Sequence, residues 1–543
     1  MNSKLGGRSL RELASKLRRV LQRGRADQSG AAAVFFAVTL LLLAPLTLGL
    51  VDVYMATTQR GQLQDALDTA TLYVARSTET DAEKIKQMGY DALIANLNLP
   101  AGQTVASYSF VLVENNKIVS SAAITPPSFS PSFWEQDNLK ANSEVTRNSV
   151  NLEVAIVLDT TGSMSGQMDS LKTAAKDLVD LVVQDVQTPY YSKASLVPYS
   201  AAVKVGDLAD TVRGPLRQAV PISTMTMASQ AVVTTTDDHN LIEGEKVYIP
   251  SLKLNKHGGG STTLTNSEYT VTLISGEPKK FKINLDTSGY KSYNNSGAAQ
   301  CVAEGCQLFS FTSDSNTTKR FWGQPCVTER TGTQAYTDAS PSTALVGRHY
   351  AGTGTGTGGS AQTNCKSAEI IPLTSTKQTL KSQIDTLTSD GFTAGHIGLA
   401  WGWYTVSPSW NGVFTGSSAP AAYDKPDTVK VVVLMTDGAF NTAYCKGVIA
   451  ANSTDSGNSD QINCNATNGT AFAQAASLCA NMKAQKVVLY TVGFNVSNNT
   501  SVKTLLQNCA TSPSHVYLPS GGTALKDAFK AIGQDINKLR ISK

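Results

Sequence analysis

The hydrophobic pattern opens with Ala31 to Val51, a run without a single charged residue between Asp27 and Asp52. As a helix it would span about 30 Å, the thickness of a hydrocarbon core. Beyond it Leu63, Ala66, Leu67, Ala70 and Val74 recur at helical spacing. The pattern predicts one helix reaching about Arg76, kinked at Pro45, with a break into two helices near Gly61 as the alternative. A second helix is predicted over 81–97. Thr104–Val113 and Lys117–Ile124 then alternate around Glu114-Asn-Asn116, the signature of a β-hairpin.

From Val150 the pattern becomes one of strands alternating with helices. Strand 153–158 leads to a helix over 167–186, strand 194–199 and a short edge strand near 202–205. Later come helices at 376–388 and 395–405, strand 429–436, helix 469–484, strand 486–493, helix 498–508, strand 514–518 and a final helix 522–539. Strands 153–158, 429–436 and 486–493 are continuous apolar runs, as expected of a parallel sheet covered on both faces. The fold class expected is therefore α/β, a doubly wound sheet over 150–543 with a long β-rich insert at 207–372. Within the insert, 222–300 carries turn signals every few residues and predicts a small β-domain of about five strands. The part from about 301 to 372 is polar and includes Gly352-Thr-Gly-Thr-Gly-Thr-Gly-Gly359, which predicts a flexible, disulfide-tethered connector. That run lacks the Gly-Lys-Ser/Thr ending of a phosphate loop. If 202–205 is the edge strand, its hairpin turns at the carboxyl edge of the sheet. The insert would then start from the opposite edge and have to fold back.

Length and charge sharpen this picture. A chain of 543 residues accommodates two or three domains with sizeable cores. The net charge of +4 hides an asymmetry: residues 1–30 hold eight Lys/Arg against Glu12 and Asp27, which leaves 38 basic and 40 acidic residues elsewhere. A near-neutral body offers no basic face for phosphate, so nucleic acid is not an expected partner. The basic cluster beside the apolar run instead fits the positive-inside rule. The expectation is a single-pass inner-membrane protein of a bacterium. Residues 1–30 are a basic cytoplasmic segment, 31–51 a transmembrane helix, 52–149 a stalk, and the bulk is periplasmic or extracellular. A cleaved signal peptide fits less well, because the apolar run is long and no small-residue cleavage site follows it. All eight cysteines fall in the exported part, and no CxxC pair suggests zinc. Chain order suggests Cys301–Cys306, Cys326–Cys365, Cys445–Cys464 and Cys479–Cys509, among about 105 pairings open to eight cysteines.

The candidate chemistry sits at strand ends. Asp159-Thr-Thr-Gly-Ser-Met-Ser165 closes the apolar run Val154–Leu158, so a strand delivers one carboxylate and then the hydroxyls of Thr161 and Ser163. Gly391-Phe-Thr393 adds a hydroxyl, and Val431-Val-Val-Leu-Met-Thr-Asp437-Gly438 a second strand-end carboxylate. In open α/β sheets ligands bind beyond the carboxyl ends of the strands. Three neutral oxygens and two charged ones suit a hard divalent cation, Mg2+ first and Mn2+ or Ca2+ as alternatives, with a position left for an acidic group of a partner. Each segment alone reads equally well as a capped turn. An enzyme is not expected: in Gly162-Ser-Met-Ser-Gly166 a Met stands where a nucleophile elbow needs Ser. No HExxH occurs, and His396 and His515 have no evident acid–base partner in sequence. His396 follows the Thr393 turn and reads as a neighbour of the site or an exposed residue, not a ligand. Trp401 and Trp403 read as core or interface aromatics.

Asp159-x-Thr-Gly-Ser-Met, Gly391-x-Thr393 and Thr436-Asp437-Gly resemble the metal-ion-dependent adhesion site of von Willebrand factor A domains, with Thr161 in place of the first Ser. The resemblance implies a metal set of Asp159, Thr161, Ser163, Thr393 and Asp437 and a partner that completes it with a carboxylate. Gln28-Ser-Gly-Ala-Ala-Ala33 and Gln62-Leu-Gln-Asp-Ala-Leu-Asp-Thr-Ala70 resemble the N-terminal region of TadE/TadG-like proteins of tight-adherence, Flp-type pilus systems. Leu196-Val-Pro-Tyr-Ser200 and Gly398-Leu-Ala-Trp-Gly-Trp403 are similar to the A domain of TadG-type members. The long helix followed by a small β-unit makes 52–149 look pilin-like. Prepilin sites tend to carry Glu five residues past the cleaved Gly, but here that position is Phe35, so prepilin processing is not expected. The resemblance implies a membrane-anchored, non-enzymatic assembly or secretion factor that docks on pilus machinery. A surface-exposed or released adhesin binding host or matrix proteins is the alternative.

Overall fold

The computed structural model describes residues 28–541 except 78, 101, 114–116, 127–136, 147–149, 266–267, 295–296, 353–364 and 455–460. It divides into two compact units, Met1–Asn148 and Ser149–Lys543. The basic segment through residue 27, the hairpin turn at 114–116 and nearly all of the Gly/Thr run lie outside the described residues.

In the first unit helix α1, Gln28–Arg76, runs unbroken past Gly61 and contains Pro45. Its stretch from Ala32 is long and apolar enough to cross a membrane. Helix α2, Ala82–Asn96, starts at Asp81, whose carboxylate accepts from the amides of Glu83 and Lys84. Strands β1 (Val105–Val113), β2 (Lys117–Ile124) and β3 (Leu139–Thr146) form an antiparallel sheet in that order. The sequence reading did not anticipate β3, because Leu139, Ala141 and Val145 alternate with charged or polar residues too sparsely to announce a strand. Leu63, Leu67, Ala70 and Val74 of α1 are buried with Ile85, Leu93, Phe110 and Ile118. Gly89 of α2 lies against the Phe110 ring, where a Cβ would come within 2.3 Å, so only glycine permits that approach.

The second unit is mixed α/β around a six-stranded sheet. In chain order its strands are β4 (Asn151–Asp159), β5 (Ser192–Tyr199), β6 (Ile371–Thr374), β7 (Thr428–Thr436), β8 (Val488–Gly493) and β9 (Val516–Tyr517). In space the order is β6-β5-β4-β7-β8-β9, antiparallel at β6–β5 and parallel everywhere else. Strand periodicity sends alternate residues to opposite faces. Val154, Ile156, Val431 and Val433 pack under helices α3 (Met168–Val182), α4 (Lys377–Asp385) and α8 (Gly522–Ile541). Ala155, Val157, Val432 and Leu434 pack under α5 (Gly395–Val406), α6 (Ala471–Ala484) and α7 (Thr500–Cys509). Burial on both faces explains the unbroken apolar runs.

The edge strand corrects the sequence reading. Val203–Lys204 does not join this sheet; it pairs with Cys326–Val327 of the insert. The edge is β6, whose Ile371 lies opposite Leu196. Since β5 ends at Tyr199, level with Asp159, and β6 runs back antiparallel, the insert leaves from and returns to the carboxyl edge. It has no need to fold back from the far side.

Within the insert six strands close into a barrel in the order 268–273, 280–283, 232–235, 220–225, 298–301 and 246–248. The stretch expected to be a flexible connector is largely structured. Leu308–Thr312, Thr318–Thr328 and Gly347–Ala351 form a sheet together with Val203–Lys204. Phe309, Phe311, Phe321, Val327 and Tyr350 are buried in the same core as Trp401 and Val157. Those aromatics sit among Ser, Thr and Gly, so composition averages hide an apolar face large enough to order the segment. The four disulfides are Cys301–Cys306, Cys326–Cys365, Cys445–Cys464 and Cys479–Cys509.

Candidate metal centre

At the carboxyl edge β4 and β7 run side by side and end at Asp159 and Thr436-Asp437. After Asp159 the chain turns into a short 3-10 segment, Gly162–Gly166, which leads into α3. The turn is fastened to the 390s loop by two backbone bonds: Gly162 N–H donates to Gly391 O at 3.0 Å and Asp390 N–H to Thr160 O at 2.9 Å.

Four of the five candidate residues form one hydrogen-bonded array. Thr161 donates to Asp159 Oδ1 twice, from its amide at 3.0 Å and its hydroxyl at 2.6 Å. The Thr161 and Ser163 hydroxyl oxygens are 3.0 Å apart, and Ser163 Oγ donates to Asp437 Oδ1 at 2.8 Å. Thr393 stands on the adjoining loop, and no hydrogen bond joins its hydroxyl to the other four among the described residues. It is held there by Asn441, which accepts from the Thr393 amide at 2.9 Å and donates its own amide to Thr393 O at 3.0 Å. Asp159, Thr161 and Thr393 are buried, whereas Ser163 is exposed and Asp437 half-buried, so the array opens toward solvent on the Ser163–Asp437 side.

Three residues outside the candidate set support the array. Tyr199 Oη donates toward Asp159 Oδ2 at 3.1 Å and Met435 O at 3.0 Å, and Thr436 Oγ1 donates to Asp159 Oδ2 at 2.9 Å. Asn441 is the third. Tyr199 could have been found from its place at the end of β5, beside the end of β4. Nothing in the sequence ties Asn441 to Thr393. His396 is not exposed: it is buried on α5, with Nε2 3.6 Å from Oε2 of Glu329.

Electrostatics set the character of the array. Burial pushes the Asp159 carboxyl above its usual value, opposed by the bonds from Thr161, Thr436 and Tyr199. Burial, and then the charge of Asp159, push Asp437 up to about 7. Among the described residues neither carboxylate has an ion-pair partner. Two adjoining carboxylates with only hydroxyl and amide donors are a costly arrangement without a cation, and every donor in the set is a hard oxygen. The residues fit a hard divalent ion.

Comparison with solved structures gives distant likenesses. The pilus adhesin SpaC from Lactobacillus rhamnosus GG, in its open conformation, is 10% identical with a TM-score of 0.30 over 82% of this chain and 35% of SpaC. The vWF domain of the type V pili tip protein Mfa5 from Porphyromonas gingivalis is 10% identical with a TM-score of 0.31 over 72% of this chain and 97% of that domain. The adhesive tip pilin GBS104 from Streptococcus agalactiae is 11% identical with a TM-score of 0.29, over 72% and 99%. This chain thus spans about a third of the length of SpaC. No curated protein matches it. Residues 30–77, by contrast, match the family model described as "Putative Flp pilus-assembly TadE/G-like". That match ends at the last turn of α1, and it marks the chain as one that carries a TadE/G-like N-terminal segment.

Proposed function

We propose that this is a membrane-anchored, non-enzymatic protein of pilus assembly or secretion that binds an acidic residue of a protein partner through a metal-ion-dependent adhesion site. The observation that carries the proposal is the array Asp159–Thr161–Ser163–Asp437, two strand-end carboxylates linked through hydroxyls and, among the described residues, without an ion-pair partner. Its setting agrees with a von Willebrand factor A-like domain over 150–543: a mainly parallel sheet with helices on both faces and the array beyond its carboxyl edge. The TadE/G-like segment supports pilus or secretion machinery as the setting. The apolar stretch of α1 and the basic residues before it support an anchor in the bacterial inner membrane, with the N-terminus cytoplasmic and the bulk periplasmic or extracellular.

A bound Mg2+, or Mn2+ or Ca2+ in its place, would supply a hard positive centre able to accept one carboxylate oxygen from outside the chain. The chain's own residues do the rest. Asp159, fixed by Thr161, Tyr199 and Thr436, anchors the inner side of the site, and Thr161 and Ser163 present hydroxyl oxygens. Asp437 supplies the second charge at the rim, and Asn441 sets the position of the Thr393 loop. Only Ser163 and Asp437 reach solvent appreciably, so a partner approaches from that side. Pull-down from native membranes tests the reading. The full chain should capture its partner with Mg2+ present and lose it with chelator or with Asp437→Ala. Equal capture in all three would sink the proposal.

A further inference from the structure

Both metal-site loops are fastened to the insert, and one buried carboxylate makes the connection. Glu329 follows the insert strand Thr318–Thr328 and is buried. Its Oε1 accepts from the Tyr444 amide at 2.6 Å, seven positions past Asp437, and from Gln474 Nε2 of α6 at 3.5 Å. Its Oε2 faces His396 Nε2 at 3.6 Å, on the first turn of α5 and three positions past Thr393. The same two loops meet each other at Asn441. The insert adds a further tie: Tyr350 N–H donates to Gly447 O at 2.8 Å. A carboxylate buried to this degree is costly unless its neighbours are fixed around it. Its cheapest state is the one in which the Tyr444 amide and His396 both stay in place.

We propose that Glu329 is a positioning residue for the metal site, through which the insert sets the spacing between the Asp437 loop and the Thr393 loop and thereby the affinity for the cation. The proposal rests on the metal-site reading given above. Groups that orient metal ligands from outside the coordination sphere typically change affinity by about 10–100-fold when removed. Glu329 acts on two of the five candidate ligands at once, each through the loop that carries it.

The test uses the full chain in detergent with Mn2+ as the probe, titrated by electron paramagnetic resonance, and metal-free hydrogen exchange as the second readout. Glu329→Gln keeps an acceptor for the Tyr444 amide but removes the charge facing His396, and should weaken Mn2+ binding about tenfold. Glu329→Ala removes both contacts and should weaken it further. In both variants exchange should quicken at 393–396 and 441–445 while the barrel strands at 220–301 keep their protection, which a general loss of stability would not do. Asp159→Ala separates the two claims. If Asp159→Ala abolishes binding while both Glu329 variants bind as wild type, the Glu329 proposal fails and the metal site stands. If Asp159→Ala binds as wild type, the metal reading itself fails. Should Glu329→Ala not fold, Glu329→Gln decides alone.

Discussion

Asp437 should make the metal-free protein lose stability as pH rises from the acid range toward neutrality. In the folded chain its carboxyl is pushed up to about 7 by burial and by Asp159, from 3.8. The folded state therefore binds the proton more tightly than the unfolded state does. The resulting stabilisation is fully present below about pH 4, falls between there and about 7, and is gone above it. A rise of that size corresponds to roughly 4 kcal/mol. Partial exposure on the Ser163 side screens it to ~2 kcal/mol. For a unit the size of 149–543 the unfolding entropy is roughly 0.8 kcal/mol per kelvin, so the melting point should drop by about 2–3 °C. The assay is thermal melting of the full chain in detergent with chelator, from pH 4.5 to 8, beside Asp437→Asn, which cannot ionise there. The variant cancels the titration of other groups. It should lie nearest wild type at pH 4.5 and melt progressively higher than wild type toward pH 8, and saturating Mg2+ should remove the wild-type loss. A difference between the two that stays flat with pH, or favours wild type at pH 8, would mean that Asp437 does not titrate with folding in this way.

Three further outcomes follow from the same packing. Lys430 Nζ lies 2.5 Å from Glu153 Oε2, both nearly inaccessible, so Lys430→Met should cost about 3–5 kcal/mol by stranding the carboxylate, and adding Glu153→Gln should recover most of it in thermal melts. The Cys479–Cys509 bridge ties α6 to α7 across 30 residues, and replacing both cysteines with Ser should cost about 3–4 kcal/mol in denaturant unfolding under oxidising conditions. A Cβ on Gly398 would come within 2.4 Å of the Tyr199 ring, so Gly398→Ala should cost about 1–3 kcal/mol and, by shifting the Tyr199 hydroxyl away from Asp159, weaken Mn2+ binding in the same preparation.

Much of the second unit was legible because its physics is local. Strands β4, β7 and β8 each carry an apolar run because both faces of the sheet are covered, and turn residues mark the helices between them. Chain-order pairing of the cysteines succeeded because each bridge closes a short loop, the longest spanning 39 residues. The misses are non-local. Ile371-Pro-Leu-Thr374 became the edge strand because it meets Leu196 across the whole insert, a pairing that no window of sequence contains. The ordered part of the 301–352 stretch owes its structure to a core shared with α5, supplied by residues such as Phe321 and Tyr350 that polar neighbours disguise. At the site itself, the Asp159 turn and the Asp437 strand end were visible because each carboxylate closes an apolar strand, at the edge where open α/β sheets place their ligands. The Asn441 clamp on Thr393 and the burial of His396 against Glu329 arise only from folding.

Everything proposed for this chain turns on whether the array at the carboxyl edge holds a divalent cation. Titration of the purified full chain with Mn2+, followed by electron paramagnetic resonance, tests it most directly. One site per chain is expected, displaced by excess Mg2+ and lost in Asp159→Ala while the far-ultraviolet spectrum and the four disulfides are retained. No saturable binding by the wild type, or equal binding by the Asp159→Ala variant, would contradict it.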